Sequence, residues 1–261
     1  MDPKHIPQLS DLPNPPKQLY VLGKPTEALF RHCVAIVGSR AITEYGKRVI
    51  ELIVPKLVFE KKTIVSGFMR GVDQYAHRIC IENGGRTIAV LGWGIDTKLS
   101  PEDKKLADAI VSRGGCLVSE WQTQRPTLWT FPVRNRIVAA LAEEVYIIEA
   151  GLKSGSLITA NWAIKLKRKL FAVPGPITSR VSEGTNQLIA TGAATMWQGM
   201  KQQSERTVSD DPILQALEHE PLTIDQLSRN LNKPVAELGA TLTLLVLSGH
   251  LSERDGVYYK K

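Results

Sequence analysis

No apolar run in this 261-residue chain approaches the roughly 20 residues needed to span a bilayer. The start, Met1 to Leu12, lacks a basic segment followed by an apolar one, so no signal peptide is expected. Cysteine is scarce. Cys33, Cys80 and Cys116 are far apart and none forms a Cys-x-x-Cys pair. That argues against a disulfide scaffold or a zinc ribbon, and free thiols suit a reducing, cytoplasmic setting. His, Cys and carboxylates are not arranged at metal-ligand spacing, so no metal is expected. No Gly-x-Gly-x-x-Gly follows an apolar run, which leaves a dinucleotide fingerprint unsupported, and no cofactor is expected. With 43% hydrophobic and 23% charged residues the composition is globular, which excludes disorder, collagen and mucin-like stalks as the main state.

Basic residues outnumber acidic ones, 33 to 26, for a formal charge of +7. This permits a polyanionic partner without proving one. The charge is uneven. From Asp211 onward there are five basic and seven acidic residues, a net of −2, which leaves +9 on the rest of the chain. The polar stretch Lys201–Asp210 marks the boundary and reads as a linker. Six prolines in the first 30 residues predict an extended arm rather than a helical domain. The expected parts are an arm (1–31) that packs on a Rossmann-like domain (32–200), a linker (201–210) and a small domain (211–261).

Between arm and linker, apolar runs alternate with helical patterns. The runs Cys33–Val37, Thr63–Val65, Thr87–Leu91, Cys116–Val118, Val145–Ile148 and Leu170–Val173 predict buried strands. Thr43–Glu60, Ala76–Asn83, Glu102–Arg113, Asn135–Leu141 and Ser156–Lys167 predict helices. Such alternation means βαβ units, hence an α/β fold with a doubly wound, mostly parallel sheet. In that architecture ligands bind beyond the carboxyl ends of the strands.

The residues at those ends suit an anion. Gly38-Ser39-Arg40 follows the first run, and Ser66-Gly67 with Arg70 follows the second. Glycine allows close backbone approach, a helix N-terminus adds partial positive charge, and arginine offers a planar fork of donors. Asp73 is a candidate cap for the next helix, and His77 reads as a packed, hydrogen-bonded histidine more readily than as a general base. Gly92-Trp93-Gly94 ends the third run. After the fourth comes a proline-and-aromatic loop with Trp129 and Phe131, leading to Arg134-Asn135-Arg136 at the head of a helix. Guanidinium groups hold phosphates and aromatic rings stack on unpaired bases. The competing reading puts the aromatics in the core and the arginines in solvent. Glu149 ends the fifth run, followed by Lys153-Ser154-Gly155-Ser156, which offers N–H groups and hydroxyls at a helix start. Pro174-Gly175-Pro176 ends the sixth, and Gly184-Thr185-Asn186 reads as a further turn.

The tail has apolar periodicity over Ile213–Leu217, Thr223–Leu231 and Val235–Leu247, then two short runs around Asp255-Gly256, a strong hairpin turn. Three helices and a hairpin predict a winged helix. Its third helix has no Lys or Arg and contains Glu237, which favours binding protein or packing on its own domain over reading duplex DNA.

The segments SGFMRGVDQYAH (66–77), FPVRNRIVAAL (131–141), EAGLKSGSLITA (149–160) and FAVPGPIT (171–178), taken in order, resemble the DNA-processing protein A family, also called DprA or Smf. The resemblance implies an extended Rossmann-like fold, usually dimeric, with no catalytic turnover. It implies a single-stranded DNA-binding protein of natural transformation that protects incoming DNA and loads the RecA recombinase. The family's basic-pocket arginine maps onto Arg40, and other basic positions map less directly onto Arg134, Arg136 and Lys153. Phe68-Met69, Leu99-Ser100 and the loop from Trp121 to Thr130 depart from the family pattern. The alternative is a nucleotide-binding or nucleotide-hydrolysing enzyme of the LOG-type phosphoribohydrolase group. That reading needs a compact Pro-Gly-Gly-x-Gly-Thr segment and a following glutamate, and this chain would have to recruit Glu149 or Asp73 instead.

Overall fold

The computed structural model describes residues 2–199, 212–218, 220–247 and 249–260. They belong to two compact units, Met1–Gly199 and Met200–Lys261. The expected linker, 201–210, lies outside the described residues.

The first unit is an eight-stranded sheet. Its strands are β1 (Tyr20–Leu22), β2 (Cys33–Val37), β3 (Thr63–Ser66), β4 (Thr87–Val90), β5 (Cys116–Ser119), β6 (Glu144–Ile147), β7 (Lys169–Ala172) and β8 (Thr195–Met196). Their spatial order is β1-β5-β4-β3-β2-β6-β7-β8. Strands β2 to β8 are parallel. Strand β1 closes one edge antiparallel to β5, with Tyr20 opposite Ser119. The helices are α1 (Glu44–Phe59), α2 (Val72–Glu82), α3 (Pro101–Ser112), α4 (Thr130–Leu141), α5 (Ser156–Lys165) and α6 (Glu183–Ala190).

Burial on both faces explains why the central strands read as unbroken apolar runs. Val34 and Ile36 of β2 pack with Ile50 and Ile53 of α1 and Ala76 of α2. Ala35 and Val37 point the other way, into a cluster with Ile137 of α4 and Ala160 of α5. Ile6, Leu9 and Phe30 from the amino-terminal segment complete that second cluster.

That segment is not simply extended. It makes short 3-10 turns at Pro3–His5, Pro7–Asp11 and Glu27–Phe30, and contributes β1. A proline at the first position of a helical turn has φ already set and lacks only an N–H that would be orphaned there. Proline therefore starts the first two turns rather than preventing them. Two helices begin earlier than periodicity suggests, α2 at Val72 and α4 at Thr130. Asp73 does not cap α2. The cap is Gly71, and Asp73 sits in the first turn, its carboxylate accepting from the Met69 N–H at 3.5 Å. Gly184-Thr185-Asn186 is no turn but lies within α6.

From β2 the chain winds outward through β3, β4 and β5, then returns across β2 to lay down β6 and β7. The connections leaving β2 and β6 therefore diverge, and a crevice opens between them.

The second unit holds α7 (Pro212–Ala216), α8 (Ile224–Leu231) and α9 (Val235–Leu247), with β9 (Leu222–Thr223), β10 (Leu251–Arg254) and β11 (Val257–Lys260). The strands form an antiparallel sheet in the order β10-β11-β9. Asp255 and Gly256 have φ of 53° and 77°, as the tight hairpin requires. Thr223 and Gln226 form a capping box at the start of α8. Leu214, Leu227, Leu238, Leu242 and Leu251 make the core. Three helices and a hairpin make this a winged helix.

Candidate functional site

The crevice at the switch point has a volume of about 680 Å³. The turn after β2 supplies Gly38, Ser39 and Arg40, and the β3–α2 connection supplies Gly67, Met69 and Asp73. Leu128, Phe131, Arg134 and Asn135 come from the loop before α4 and from its first turns. The β6–α5 connection gives Gly151 and Lys153 to Ser156, and the segment after β7 gives Arg180 and Val181.

Local backbone chemistry builds this shape. Gly71 adopts φ +91°, and a Cβ there would stand 2.3 Å from the Ser39 carbonyl oxygen. The start of α2 can therefore close on the Gly-Ser-Arg turn, and Val72 donates its N–H to that same oxygen at 3.1 Å. Ser39 folds its hydroxyl into the turn, donating to the Ala41 carbonyl and accepting from the Ala41 N–H. Helix α2 begins at the crevice with Asp73 in its first turn, but α4 and α5, which begin there too, have no acidic residue in theirs. Their partial positive charges are thus left uncompensated by side chains of their own.

The charges form two layers. Arg40, Lys153 and Arg180 are exposed on the rim. Beneath them Arg134 is only 3% exposed. One of its Nη atoms donates to the Val90 carbonyl, and its Nε donates to Asn135 Oδ1 at 3.2 Å. Asp73 faces it across Gly67 and is the single carboxylate among the described lining residues. Burial pushes the Asp73 carboxyl up to about 6, against the pull of the Arg134 guanidinium. Burial also lowers the Arg134 pKa, with Asp73 opposing. His77 lies deeper, at 0% exposure, with Nδ1 2.7 Å from Thr87 Oγ1 and Nε2 2.7 Å from the Gly67 carbonyl oxygen. It is a packed histidine, and burial brings its pKa down to about 4.

The structure separates the expected site residues. Gly38, Ser39, Arg40, Gly67, Phe131, Arg134, Asn135, Lys153, Ser154, Gly155 and Ser156 line the crevice. Ser66, Arg70 and Arg136 do not. Ser66 is fully buried and donates to the Ile36 carbonyl at 2.5 Å. Arg70 is exposed on the β3–α2 connection. Arg136 is spent on Glu120, with Nη2 2.5 Å from Oε1 and side chains 12% and 19% exposed. Nor do Arg134-Asn135-Arg136 head α4. They begin its second turn, since the helix starts at Thr130.

The Phe131 ring already has one occupant: the Arg40 guanidinium carbon lies 5.2 Å from its centroid. Trp129 is exposed and packs edge-on against Trp121 at 5.8 Å. Arg180 escaped the sequence reading, although it too follows a strand end. It stands eight residues past Ala172, the end of β7, beyond the Pro174-Gly175-Pro176 segment. The two carboxylates that hydrolase chemistry would need are engaged. Asp73 faces Arg134, and Glu149 accepts from the Thr43 N–H at 3.0 Å and from its hydroxyl. Gly184-Thr185 is taken up in α6 rather than in a phosphate loop.

A doubly wound sheet with a cationic switch-point crevice, accompanied by a winged helix, defines a Rossmann-like protein suited to a phosphorylated ligand. The family model for DNA recombination-mediator protein A matches residues 1–207, and that for the DprA winged helix domain matches residues 201–256. The chain belongs to the DNA-processing protein A (DprA/Smf) family. It is 42% identical to Protein Smf of Escherichia coli over 72% of this chain and 50% of that one. It is 40% identical to DprA of Streptococcus pneumoniae over 64% of this chain and 58% of that one, so it spans about half the length of these relatives. The X-ray structure of S. pneumoniae DprA superposes with TM-score 0.67 at 37% identity, covering 74% of this chain and 67% of that one. The Helicobacter pylori protein, whose single-stranded DNA binding mode has been described, gives TM-score 0.68 at 31% identity over 78% of this chain and 92% of that one.

Proposed function

We propose that this protein binds single-stranded DNA in the switch-point crevice and acts without catalytic turnover. In natural transformation it would protect incoming strands in the cytoplasm and load RecA onto them, as a homodimer. The observation that carries the reading is the crevice itself, with exposed Arg40, Lys153 and Arg180 around one buried carboxylate. Phosphates meet these cations and the amino ends of α4 and α5 without regard to sequence. The likeness to the H. pylori protein supports the same reading. Residues 201–210 are proposed as the linker between a Rossmann-like domain and the winged helix. Helix α9, with Glu237 and no Lys or Arg, supports a protein contact for the winged helix rather than a duplex-reading role.

Fluorescence anisotropy with a labelled oligonucleotide, single-stranded and then duplex, tests the binding. Salt-sensitive preference for the single strand, lost in Arg40→Ala, is expected. Equal duplex binding indifferent to Arg40 would refute it. RecA filament growth on covered single strands, with and without this protein, tests the loading step.

A further inference from the structure

Among the described residues of the first unit, four of the nine exposed large apolar side chains, Leu128, Trp129, Leu152 and Ile177, stand on connections that form the crevice, while Leu22, Leu52, Phe59, Ile164 and Met196 belong to other elements. Leu128 is 93% exposed, Ile177 92% and Leu152 55%. Leu128 lines the crevice itself, Leu152 stands between the lining residues Gly151 and Lys153, and Ile177 precedes Arg180 on the segment that follows β7. They come from three separate connections, those after β5, β6 and β7. Neighbouring cations share the same connections: Lys153 beside Leu152, and Arg180 three residues beyond Ile177.

Bare leucine and isoleucine in water are common singly, but their grouping around one site is not. An apolar rim interleaved with cations suits a ligand that presents negative charge and flat apolar faces together. A single strand of nucleic acid is such a ligand, because its phosphates and unstacked base faces are both accessible. A duplex offers phosphates alone, its base faces being stacked inside. We propose that Leu128, Leu152 and Ile177 form a base-contacting rim, and that this rim sets the preference for single strands. The inference rests on the proposed binding of single-stranded DNA in this crevice. The cations then supply affinity that salt weakens, and the rim supplies discrimination that salt leaves alone. Phe131 contributes less to this rim than its ring suggests, since one face is covered by Arg40.

The test compares an oligothymidylate with an abasic oligomer of the same length, which keeps the phosphates and lacks the bases. Wild-type protein should bind the oligothymidylate at least about fivefold more tightly, as partial burial of one leucine side chain against a base gives. Leu128→Ser/Leu152→Ser/Ile177→Ser should bind the two oligomers alike and keep the wild-type salt dependence. The replaced side chains are exposed, so the fold should be unchanged, which far-ultraviolet circular dichroism checks. Leu128→Met/Ile177→Val should retain the preference. A triple variant that still favours the base-bearing oligomer overturns the rim while leaving DNA binding in the crevice intact. Absence of salt-dependent binding by wild type to either oligomer overturns both.

Discussion

Gly67→Ala should damage the floor of the crevice although it adds one methyl group. A Cβ at this position would stand 2.1 Å from Asp73 Oδ2 and 2.7 and 2.8 Å from the two Nη atoms of Arg134. Neither partner has room to retreat, because Asp73 is 8% and Arg134 3% exposed. The backbone cannot easily back away either, since the Gly67 carbonyl is held by His77 Nε2 at 2.7 Å. Overpacking a well-filled site costs about 1–3 kcal/mol, and forcing apart buried opposite charges adds to that. A loss of about 2–4 kcal/mol is expected, which is roughly a 1 M fall in the urea midpoint of the first unit. Gly155 supplies the control from the same crevice. It has φ −61° and ψ −22°, and a Cβ there meets nothing within 4 Å. Gly155→Ala should therefore be neutral or stabilise by about 0.4–1 kcal/mol. Urea unfolding of the two variants beside wild type decides the matter. Equal midpoints for wild type and Gly67→Ala would refute the packing argument.

The buried acid and base beneath the crevice make a pH prediction. Asp73, held up at about 6, binds a proton in the folded protein that the unfolded chain has already released, so its contribution is lost as pH rises from about 4 to 6. His77, held down at about 4, refuses a proton that the unfolded chain accepts, so its contribution is lost as pH falls from 6.5 to 4. The two nearly cancel in wild type. In Asp73→Asn the histidine acts alone, and stability should fall by about 3 kcal/mol between pH 6.5 and 4, measured by urea unfolding across that range; a flat profile would contradict it. Arg136→Ala should cost about 3 kcal/mol by stranding the near-buried Glu120 carboxylate, yet leave the salt dependence of oligonucleotide binding unchanged. Arg180→Ala should do the reverse, lowering that salt dependence with a stability change within about 0.5 kcal/mol, as expected for an exposed side chain.

Strands β2 to β5 were legible because each is buried on both faces and so appears as an uninterrupted apolar run. Cys33–Val37 coincides with β2 residue for residue. Strands β1 and β8 were not legible: Tyr20–Leu22 and Thr195–Met196 are edge strands of three and two residues, half-buried or exposed, with no period to find. Helix α4 hid its first five residues because Thr130-Phe131-Pro132 looks like loop chemistry. Glycines and cations at strand ends line the crevice, since topology alone places those ends together. What spacing could not reveal was which arginines already had partners. Arg134 and Arg136 are two residues apart, yet one turns inward toward Asp73 while the other meets Glu120. That distinction depends on carboxylates 61 and 16 residues away in the chain.

The central claim is that exposed cations of one crevice hold the phosphates of a single strand. The most direct test is the slope of log K against log salt for an oligothymidylate, in wild type and in Arg40→Ala/Lys153→Ala/Arg180→Ala. Each phosphate contact contributes about 0.7 to that slope for single strands, so the triple variant should lose about 2 from its magnitude. An unchanged slope in the triple variant would place the DNA elsewhere on the protein and contradict the account.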